Sequence, residues 1–334
     1  MITNRLVGLG LITILSACSY QATIPLETLE PPTSFYINPT QPITVNYAYV
    51  PSNQLPKVIG KINDSDSIAA DVAAYVIASS FKENSLYPQT NVVTSQQPRN
   101  DSLVSQGFIL TEQEISKIAK RTGGKVILSL DYLAINPEIT TYPSANGGYT
   151  SFLAINAVGL WRAYSVESKK VIGEYLFKKS YSWDAGGSSK SLALNNLPSM
   201  SEIASWVGSE CGKSSAGAFA PFWTTAYRHL FVSPEAKWSQ ARNYVKMGDW
   251  KSAAKIWSSM VGEDRSITQR WQAAYNLAVA CEVQNDLMLA MDWLNLADSF
   301  IPNSSEVKDY REIIQLRLKS QKIMESYKET PFAF

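Results

Sequence analysis

His229 is the only histidine in the chain, so any catalytic arrangement with a histidine base must use it. Such an arrangement needs the imidazole within hydrogen-bond reach of a serine or cysteine nucleophile. His229 stands in the apolar stretch Tyr-Arg-His-Leu-Phe, and the sequence contains no Gly-x-Ser-x-Gly turn. We therefore predict a structural or surface histidine. A single histidine without a cysteine cluster also predicts no zinc site.

Paired carboxylates are a second route to chemistry, because a glycosidase needs only two acids that flank the scissile bond. Four acids fall in or beside predicted strands, where a sheet could bring them together: Asp131, Glu138, Glu174 and Asp184. Their spacing follows no motif, and solvated strand ends explain them equally well. A hydrolase that uses two of these acids stays open as an alternative function.

Three aromatic residues surround the segment Ser-Ala-Asn-Gly-Gly at 144–148, and the composition predicts a long loop over 140–152. They are Tyr142, Tyr149 and Phe152. Aromatic side chains on loops can stack on sugar rings or anchor a protein partner. Packing of the loop on a neighbouring sheet would explain them too. These residues are the candidates for a partner-binding or glycan-binding site.

Two stretches approach ligand-binding motifs without fulfilling them. Residues 208–214, Gly-Ser-Glu-Cys-Gly-Lys-Ser, lack the glycine spacing of a phosphate-binding loop and have the periodicity of a helix. Asp64 and Asp66 begin like a calcium loop, but Ala69 stands where that loop needs glycine and Tyr75 where it needs glutamate. We predict helix capping for the two aspartates and expect neither a cofactor nor a metal.

The charge balance argues against a nucleic-acid partner. Lys and Arg number 30 and Asp and Glu number 29, and no run of basic residues could neutralise a phosphate backbone. The chain is 45% apolar, which is typical of a folded globular protein. Its 334 residues suggest two domains, because single cores rarely grow beyond about 250–300 residues.

The first 18 residues have the order of a secretory signal peptide. Arg5 precedes an apolar stretch at 6–14, which is shorter than the roughly 20 residues that span a bilayer. Leu-Ser-Ala-Cys at 15–18 resembles the lipobox of bacterial lipoproteins. That resemblance implies a signal peptide over 1–17 and acylation of Cys18, both on its thiol and on its new amine. Several acyl chains would anchor the protein firmly in a membrane.

Ser19 follows Cys18, where an Asp would favour the inner membrane by analogy with enterobacterial sorting. Residues 19–26 lack the acidic cluster that exports some lipoproteins of the Bacteroidetes to the cell surface. We therefore expect an outer-membrane lipoprotein on the periplasmic face. Cys211 and Cys281 are the remaining thiols, and small apolar neighbours in predicted helices indicate free, buried cysteines rather than a disulfide framework.

The elements that must position these residues follow from periodicity. Five prolines predict an extended tether or an edge segment over 18–42. Alternating stretches predict strands, and 3.6-residue periods predict helices, one of them with a capping box at Thr111 and Glu114. Together they predict an α+β domain over 43–232, with a sheet of three to five strands packed with helices. Its strands are expected near 43–50, 91–95, 126–133, 152–166 and 171–183, and its last helical region over 200–231.

This order resembles a recurring domain of envelope lipoproteins. Tyr164, Val166, Ser168 and Val171 fit the pattern Tyr-x-Val-x-Ser-x-x-Val. The pattern is similar to one in the lipoprotein activators of penicillin-binding proteins, the curli-export lipoprotein and the amino-terminal domain of TolB. The resemblance implies the fold and carries no activity.

The last third of the chain contains two similar segments, 241–257 and 278–294, which are 37 residues apart. This spacing resembles the tetratricopeptide repeat with its unit of 34 residues. The alignment pairs Gly248 with Asn285 and Asp249 with Asp286. Paired helices approach closely at small residues, so we predict packing positions at Ala241, Ala253, Ala278 and Ala290. With a further helix over 307–320, residues 233–334 form an all-α tetratricopeptide-like region of a kind that usually binds protein.

The whole arrangement is similar to a set of Bacteroidetes lipoproteins of unknown function. The resemblance is carried by Ala218 or Ala220 with Pro221, Trp223 and Arg228. We expect a lipid-anchored envelope scaffold or accessory protein that binds an envelope protein and performs no catalysis. The alternatives are a glycan-binding lipoprotein that uses loop 140–152 and the hydrolase with paired carboxylates. A small-molecule ligand stays open.

The lipobox yields a direct prediction for Cys18→Ala. The variant should accumulate as an uncleaved precursor without lipid, because cleavage and acylation both require the thiol, while the folded domains remain intact. Metabolic labelling with a radioactive fatty acid and the electrophoretic mobility of the chain measure both effects. Normal labelling of the variant would contradict the lipobox.

Overall fold

The computed structural model describes residues 20–47, 65–84, 87, 90–94, 109–145, 147–262 and 264–329. Cys18 and the predicted signal peptide lie outside these residues. The chain divides into two compact units. The α+β unit contains Leu29–Trp223 with the end of the chain from Ser326, and the helical unit contains Thr224–Glu325 with the described residues up to Thr28.

Seven strands and nine helices occur within the described residues. The strands are β1 (Tyr20–Glu30), β2 (Ile43–Tyr47), β3 (Asn91–Thr94), β4 (Val126–Pro143), β5 (Tyr149–Ser165), β6 (Val171–Gly187) and β7 (Phe222–Val232). The helices are α1 (Ser65–Glu83), α2 (Glu112–Thr122), α3 (Lys190–Asn195), α4 (Met200–Phe219), α5 (Ala236–Lys246), α6 (Trp250–Gly262), α7 (Ile267–Val283), α8 (Leu287–Phe300) and α9 (Ser305–Glu329).

A five-stranded sheet in the order β3-β2-β4-β5-β6 is the framework of the α+β unit. Strand β2 runs parallel to β3 and β4, whereas β4, β5 and β6 form an antiparallel meander. The predicted fold class, a sheet packed with helices followed by an all-helical region, is confirmed.

The hairpin of β4 and β5 is much longer than the sequence indicates. The loop predicted over 140–152 is instead the end of the β4–β5 hairpin, which pairs as far as Pro143 and Tyr149. Gly147 and Gly148 in the turn have left-handed backbones with φ of 82° and 89°. The residues at this end of the hairpin are largely polar, so they lack the alternating apolar pattern that predicts a strand. Backbone hydrogen bonds to β5 are sufficient to pair this part of β4.

Helices α1 and α4 pack on one face of the sheet, and they approach each other through small residues. A Cβ on Gly208 would lie 2.4 Å from the carbonyl oxygen of Ala69, and one on Gly212 would lie 2.7 Å from that of Ala73. Both alanines are fully buried. The two glycines of the stretch at 208–214 therefore serve close helix packing.

Helix α2 covers the opposite face of the sheet at one end, where Ile115 packs with Ile127 and Tyr164. The predicted capping box is confirmed, since the amide of Thr111 donates to Glu114 at 2.8 Å and the amide of Glu114 donates back to Thr111 Oγ1 at 3.3 Å. Gly123 ends the helix with φ of 75°.

Helix α4 ends at Phe219, so the single helical region predicted over 200–231 is wrong. Ala220 has the extended φ of −134° and ψ of 152° that a following proline favours. Residues after Pro221 then form β7, in which exposed and less exposed positions alternate from Phe222 to Tyr227. The proline was the signal for this change.

The helical unit contains the predicted repeat. Gly248 and Asn285, which the alignment pairs, both have left-handed backbones with φ of 75° and 59°. Asp249 and Asp286 both cap the next helix, through Ser252 at 3.0 Å and Leu289 at 3.2 Å. The four predicted packing residues, Ala241, Ala253, Ala278 and Ala290, are all fully buried.

Strand β1 pairs with β7, so residues 20–30 of the segment expected to be a tether or an edge are a strand. Side-chain contacts join Glu27 to Thr225 at 2.6 Å and Thr23 to His229 at 3.4 Å. These contacts advance along β1 as they retreat along β7, as in an antiparallel pair.

The contact of α1 with α4 predicts that Gly212→Val destabilises the protein. The added side chain would meet Ala73 and Val76, and overpacking of this kind costs about 1–3 kcal/mol. Urea denaturation measures the loss. Gly262→Ala is the control, since a Cβ there has no atom within 4 Å, and an equal loss in both variants would contradict the packing argument.

Candidate functional site

Two of the four candidate acids meet at Arg162 on β5. Its Nη1 donates to Asp131 at 3.2 Å and its Nε donates to Glu174 at 2.7 Å. The hydroxyl of Tyr164 also donates to Asp131. Asp131 is buried, whereas the Glu174 side chain is 54% exposed. Arg162 therefore bridges a buried and an exposed carboxylate.

The electrostatics of this cluster are those of a fixed ion network. Burial alone would lower the pKa of Arg162, but the hydrogen bond to Glu174 and the attraction of Asp131 outweigh it and raise the pKa. Burial, followed by the charge of Asp131, raises the pKa of Tyr164, so the phenol stays a neutral donor. Asp131 lies at the bulge of β4 between Leu130 and Tyr132, so its bonds to Arg162 and Tyr164 hold this bulge against β5.

The other two acids do not join them. Glu138 lies opposite Ala154 and Asp184 lies opposite Phe152, on strands that β5 separates by about 10 Å. The four acids therefore do not meet at one site. Only Asp131 and Glu174 come together among them, and Arg162 lies between their carboxylates.

Asp66 is an acid whose environment the sequence does not disclose. It lies in the first turn of α1 and accepts the backbone N–H of Ile135 on β4 at 2.9 Å. Burial raises the pKa of this carboxyl to about 6, and the hydrogen bond from Ile135 only partly offsets it. Asp66 thus joins α1 to the sheet, while Asp64 lies outside the described residues.

The two described cysteines and the single histidine lie in different surroundings. Cys211 and Cys281 are free and buried, as predicted, and burial raises the pKa of each thiol to about 11. At neutral pH both therefore stay protonated and unreactive. His229 is exposed on β7, which fits the predicted surface role. Within the described residues no group of three histidines, cysteines or acids could hold a metal ion.

The structure brings together two of the three candidate aromatic residues. Tyr142 on β4 and Phe152 on β5 share one face of the hairpin, with ring centroids 6.1 Å apart. Tyr149 lies opposite Pro143 in the register, which places it on the other face. Tyr142 and Phe152 are 55% and 44% exposed.

We call the surface to which they belong the outer face. It consists of the exposed side chains of one parity on β4, β5 and β6, and the registers Asn136–Asn156–Ser180 and Thr140–Phe152–Asp184 define its rows. Leu176 on β6 adds a side chain that is 57% exposed. Its further exposed members are Glu138, Lys178 and Ser182. Aromatic, amide and charged groups therefore follow one another along this face, and Leu176 lies eight residues along β6 from Asp184, roughly 26 Å from the row of Phe152.

A cavity of about 380 Å³ lies elsewhere in the α+β unit, where α1 and α4 end and β7 begins. Phe81 and Glu83 line it from α1, Asn84 lines it directly after that helix, and Phe222 and Trp223 line it from β7. Trp223 belongs to the pattern that carries the family resemblance. Nothing in the sequence indicates that these residues surround a cavity.

In the helical unit, Glu282 is a buried carboxylate that the sequence analysis missed. It accepts hydrogen bonds from Arg228 Nε and Nη2 at 2.7 Å each, from Arg317 at 2.9 Å and from the hydroxyl of Tyr310 at 2.6 Å. Burial would raise its pKa, but these bonds outweigh burial and lower it. The sequence signal for this residue is a single acid at the end of the apolar run 277–281 of α7.

The central helix of the repeat is covered by the chain's own strand. The side-chain amide of Asn276 on α7 donates to the carbonyl of Phe231 at 2.8 Å and accepts its N–H at 2.9 Å. Eleven of the 17 residues of α7 are buried. A helix buried on all sides has no free face, so α7 is part of the scaffold rather than a docking surface.

The fold and its surfaces define a protein with an α+β unit and a helical-repeat unit. Residues 42–231 match the family described as Domain of unknown function (DUF8603), and because this is more than half of the chain, the chain belongs to that family. Residues 239–320 match a second one, Domain of unknown function (DUF6340). No curated protein matches the chain.

Several solved structures are similar to part of the chain. The PelC dodecamer from Paraburkholderia phytofirmans has 10% identity and a TM-score of 0.26, over 60% of this chain and 99% of its own. A neuraminyllactose-binding hemagglutinin homologue from Helicobacter pylori has 9% identity and a TM-score of 0.31, over 56% and 88%. Lipoprotein GNA1162 from Neisseria meningitidis has 14% identity and a TM-score of 0.21, over 52% and 99%.

Among the helices that the structure describes, none combines the length and the apolar character needed to cross a membrane.

The raised pKa of Asp66 predicts how Asp66→Asn changes stability with pH. Between its ordinary pKa of 3.8 and about 6, the native carboxyl holds a proton that the unfolded chain releases, so the wild type loses stability as pH rises through this window. Asparagine stays neutral and can still accept from Ile135. We expect Asp66→Asn to be more stable by on the order of 2 kcal/mol at pH 7 and nearly neutral at pH 4.

Urea denaturation at the two pH values measures this difference. Asp292→Asn, at an exposed position of α8, is the control and should show no such pH dependence. An Asp66→Asn variant that loses stability at pH 7 would contradict the argument.

Proposed function

We propose that the chain is a lipid-anchored envelope protein that binds a protein partner through the outer face and performs no catalysis. The observation that carries the proposal is the exposure of Tyr142 and Phe152, whose ring centroids are 6.1 Å apart on one face of the hairpin of β4 and β5. Exposed aromatic and aliphatic side chains rimmed by polar groups are typical of protein-binding surfaces. The hairpin that presents them is a continuous ladder, which keeps the surface ordered for a partner.

The arrangement of the acids supports the absence of catalysis. A hydrolase with paired carboxylates would need one acid to protonate a leaving group and a second within about 5–10 Å to act on the sugar. Asp131 and Glu174 are instead held by Arg162. Arg162 therefore occupies the space between the two acids, where a glycosidic bond would have to lie.

Anchoring follows from the resemblance of residues 15–18 to a lipobox. Strand β1 begins at Tyr20, so a single residue separates the strand from Cys18. Two peptide steps reach roughly 7 Å, so a lipid on Cys18 would hold the start of β1 at the membrane surface. We propose the outer membrane and its periplasmic face as the location, because Ser19 follows Cys18 and residues 19–26 lack an acidic cluster.

Glycan binding is the second candidate, and one feature of the outer face favours it. Ser180 donates to the side-chain oxygen of Asn156 at 2.6 Å, and this pair lies on the same face as Phe152, four residues or roughly 13 Å further along β5. Oriented amide and hydroxyl groups and an exposed aromatic ring on one surface are groups that sugar recognition uses. The same residues serve both candidates, so the ligand itself decides between them.

Site-specific photocrosslinking in intact cells tests the proposal. A benzoylphenylalanine at position 152 should crosslink to a defined protein, while the same group at Tyr75 on α1, which is 68% exposed, should not. With that protein purified, Phe152→Asp should weaken binding at least tenfold because a charge replaces an apolar contact, and Tyr75→Asp should leave it unchanged.

Equal crosslinking at both positions, or unchanged affinity of Phe152→Asp, would refute the outer face as the protein-binding surface. Binding to a glycan array that disappears in Phe152→Ala would favour the second candidate. Turnover of a glycoside that requires Asp131 or Glu174 would overturn the absence of catalysis.

A further inference from the structure

The cavity beside Trp223 is built at the carboxyl-terminal ends of two helices. Helix α1 supplies Ser80, Phe81 and Glu83, Asn84 follows it directly, and α4 ends at Phe219 beside the lining residue Ala220. The side chain of Asn84 donates to the carbonyl of Pro221 at 3.0 Å, which ties the wall from α1 to the wall from β7. The cavity is therefore a connected part of the fold.

The electrostatics of the cavity favour a positive charge. A helix carries roughly half a negative charge at its carboxyl end, and α1, with 19 residues, ends at the cavity. The carboxylate of Glu83 adds a full negative charge at the rim. Within the part of the chain that the structure describes, no lysine or arginine lines the cavity. The neighbouring Lys82, on the same turn of α1, is exposed.

Helix α4 contributes less to this field than α1. The amides of Thr33 and Ile37 donate to the carbonyls of Gly217 and Phe219 at 3.1 and 3.0 Å, and such bonds partly neutralise the end of the helix. The negative character of the cavity therefore arises chiefly from α1 and Glu83.

Aromatic rings form the other half of the lining. Phe81 is buried, Phe222 is half-buried and packs at Gly217, and the indole of Trp223 is 66% exposed at the rim. Trp is the aromatic residue that attracts cations most strongly through its ring face. An exposed indole and a carboxylate that line the same cavity supply the two kinds of group that recognise a cation on an apolar stem.

We propose that this cavity binds an organic cation, an ammonium or guanidinium group on a short aliphatic stem. The aromatic rings contact the stem and stack on the charged group, and Glu83 with the end of α1 neutralises it. A guanidinium should bind better than an ammonium, because it is planar, less strongly hydrated and stacks on indole. The cavity is a site distinct from the outer face, and its ligand is independent of the partner bound there.

Titration calorimetry with the full chain in detergent tests the proposal. The probes are Nα-acetyl-arginine amide, its lysine counterpart, agmatine and the neutral isostere Nα-acetyl-citrulline amide. We expect the arginine compound to bind saturably and at least tenfold more tightly than the citrulline compound. Trp223→Ala and Glu83→Gln should each weaken that binding at least tenfold.

Matched controls are available on the same unit. Tyr75→Ala removes an exposed aromatic ring on α1 and is the control for Trp223→Ala. Glu112→Gln removes an exposed acid on α2 and is the control for Glu83→Gln. Both control variants should bind the arginine compound like the wild type. An unchanged thermal midpoint shows that each variant is folded. Glu83 is exposed, so its variant remains informative even where Trp223→Ala unfolds.

The comparison of probes identifies the source of the cation. Tighter binding of the capped arginine than of agmatine would assign the site to a polypeptide side chain, and the reverse would assign it to a free amine; both support the proposal. Equal binding of arginine and citrulline compounds, no binding by the wild type, or equal losses in the control variants would overturn it.

Discussion

The carboxylate of Glu282 holds together three elements that are far apart in the sequence. Arg228 comes from β7, Tyr310 and Arg317 come from α9, and all three donate to one buried side chain on α7. Taking a carboxylate out of water costs several kcal/mol, and only this complete set of charged and neutral donors offsets the cost. The position of β7, and of β1 paired with it, therefore depends on a polar interaction inside an otherwise apolar helical core.

The contact between α1 and α4 in the α+β unit is apolar instead, since the two helices meet through small residues. Gly208 and Gly212 lie against the backbone of α1, so dispersion contacts and buried apolar area dominate there. This leaves the polar groups of the unit to the strands. Arg162 holds the bulge of β4, and beyond the bulge the hairpin carries the outer face on exposed side chains. Because α1 and α4 cover one face of the sheet and stabilise it, the exposed side chains of the outer face are free to contact a ligand.

The sequence predicts the elements whose signals are local. The capping box at Thr111, the glycine after α2 and the turn pair Gly248 and Asn285 were all recognisable, because each depends on neighbours within a few residues. The repeat was also predictable, since buried alanines recur at a fixed spacing. The four acids and the aromatic residues could be named but not arranged, because the register of β4 with β5 decides which of them share a face.

Features that depend on distant pairing escaped the sequence. The apolar residues of β7 fit both periods, so its sequence also favours a helix. Pro25 within β1, with Pro31 and Pro32 after it, favours a tether or an edge segment, and nothing local reveals the pairing with β7. The cavity at Trp223 arises only where the ends of two helices and a strand meet. Glu282 looked like any charged residue until Arg228, 54 residues earlier, was placed beside it.

If Cys18 is acylated as we propose, the start of β1 two residues after it has a kinetic consequence. A lipidated chain with almost no slack is confined to a thin layer next to the bilayer, where it searches for partners in two dimensions rather than three. Confinement of both binding components to such a layer raises their effective concentration, so a contact that is weak in solution becomes well populated at the membrane. A modest surface such as Tyr142 and Phe152 is then sufficient for a stable assembly, provided that the partner is held at the same membrane.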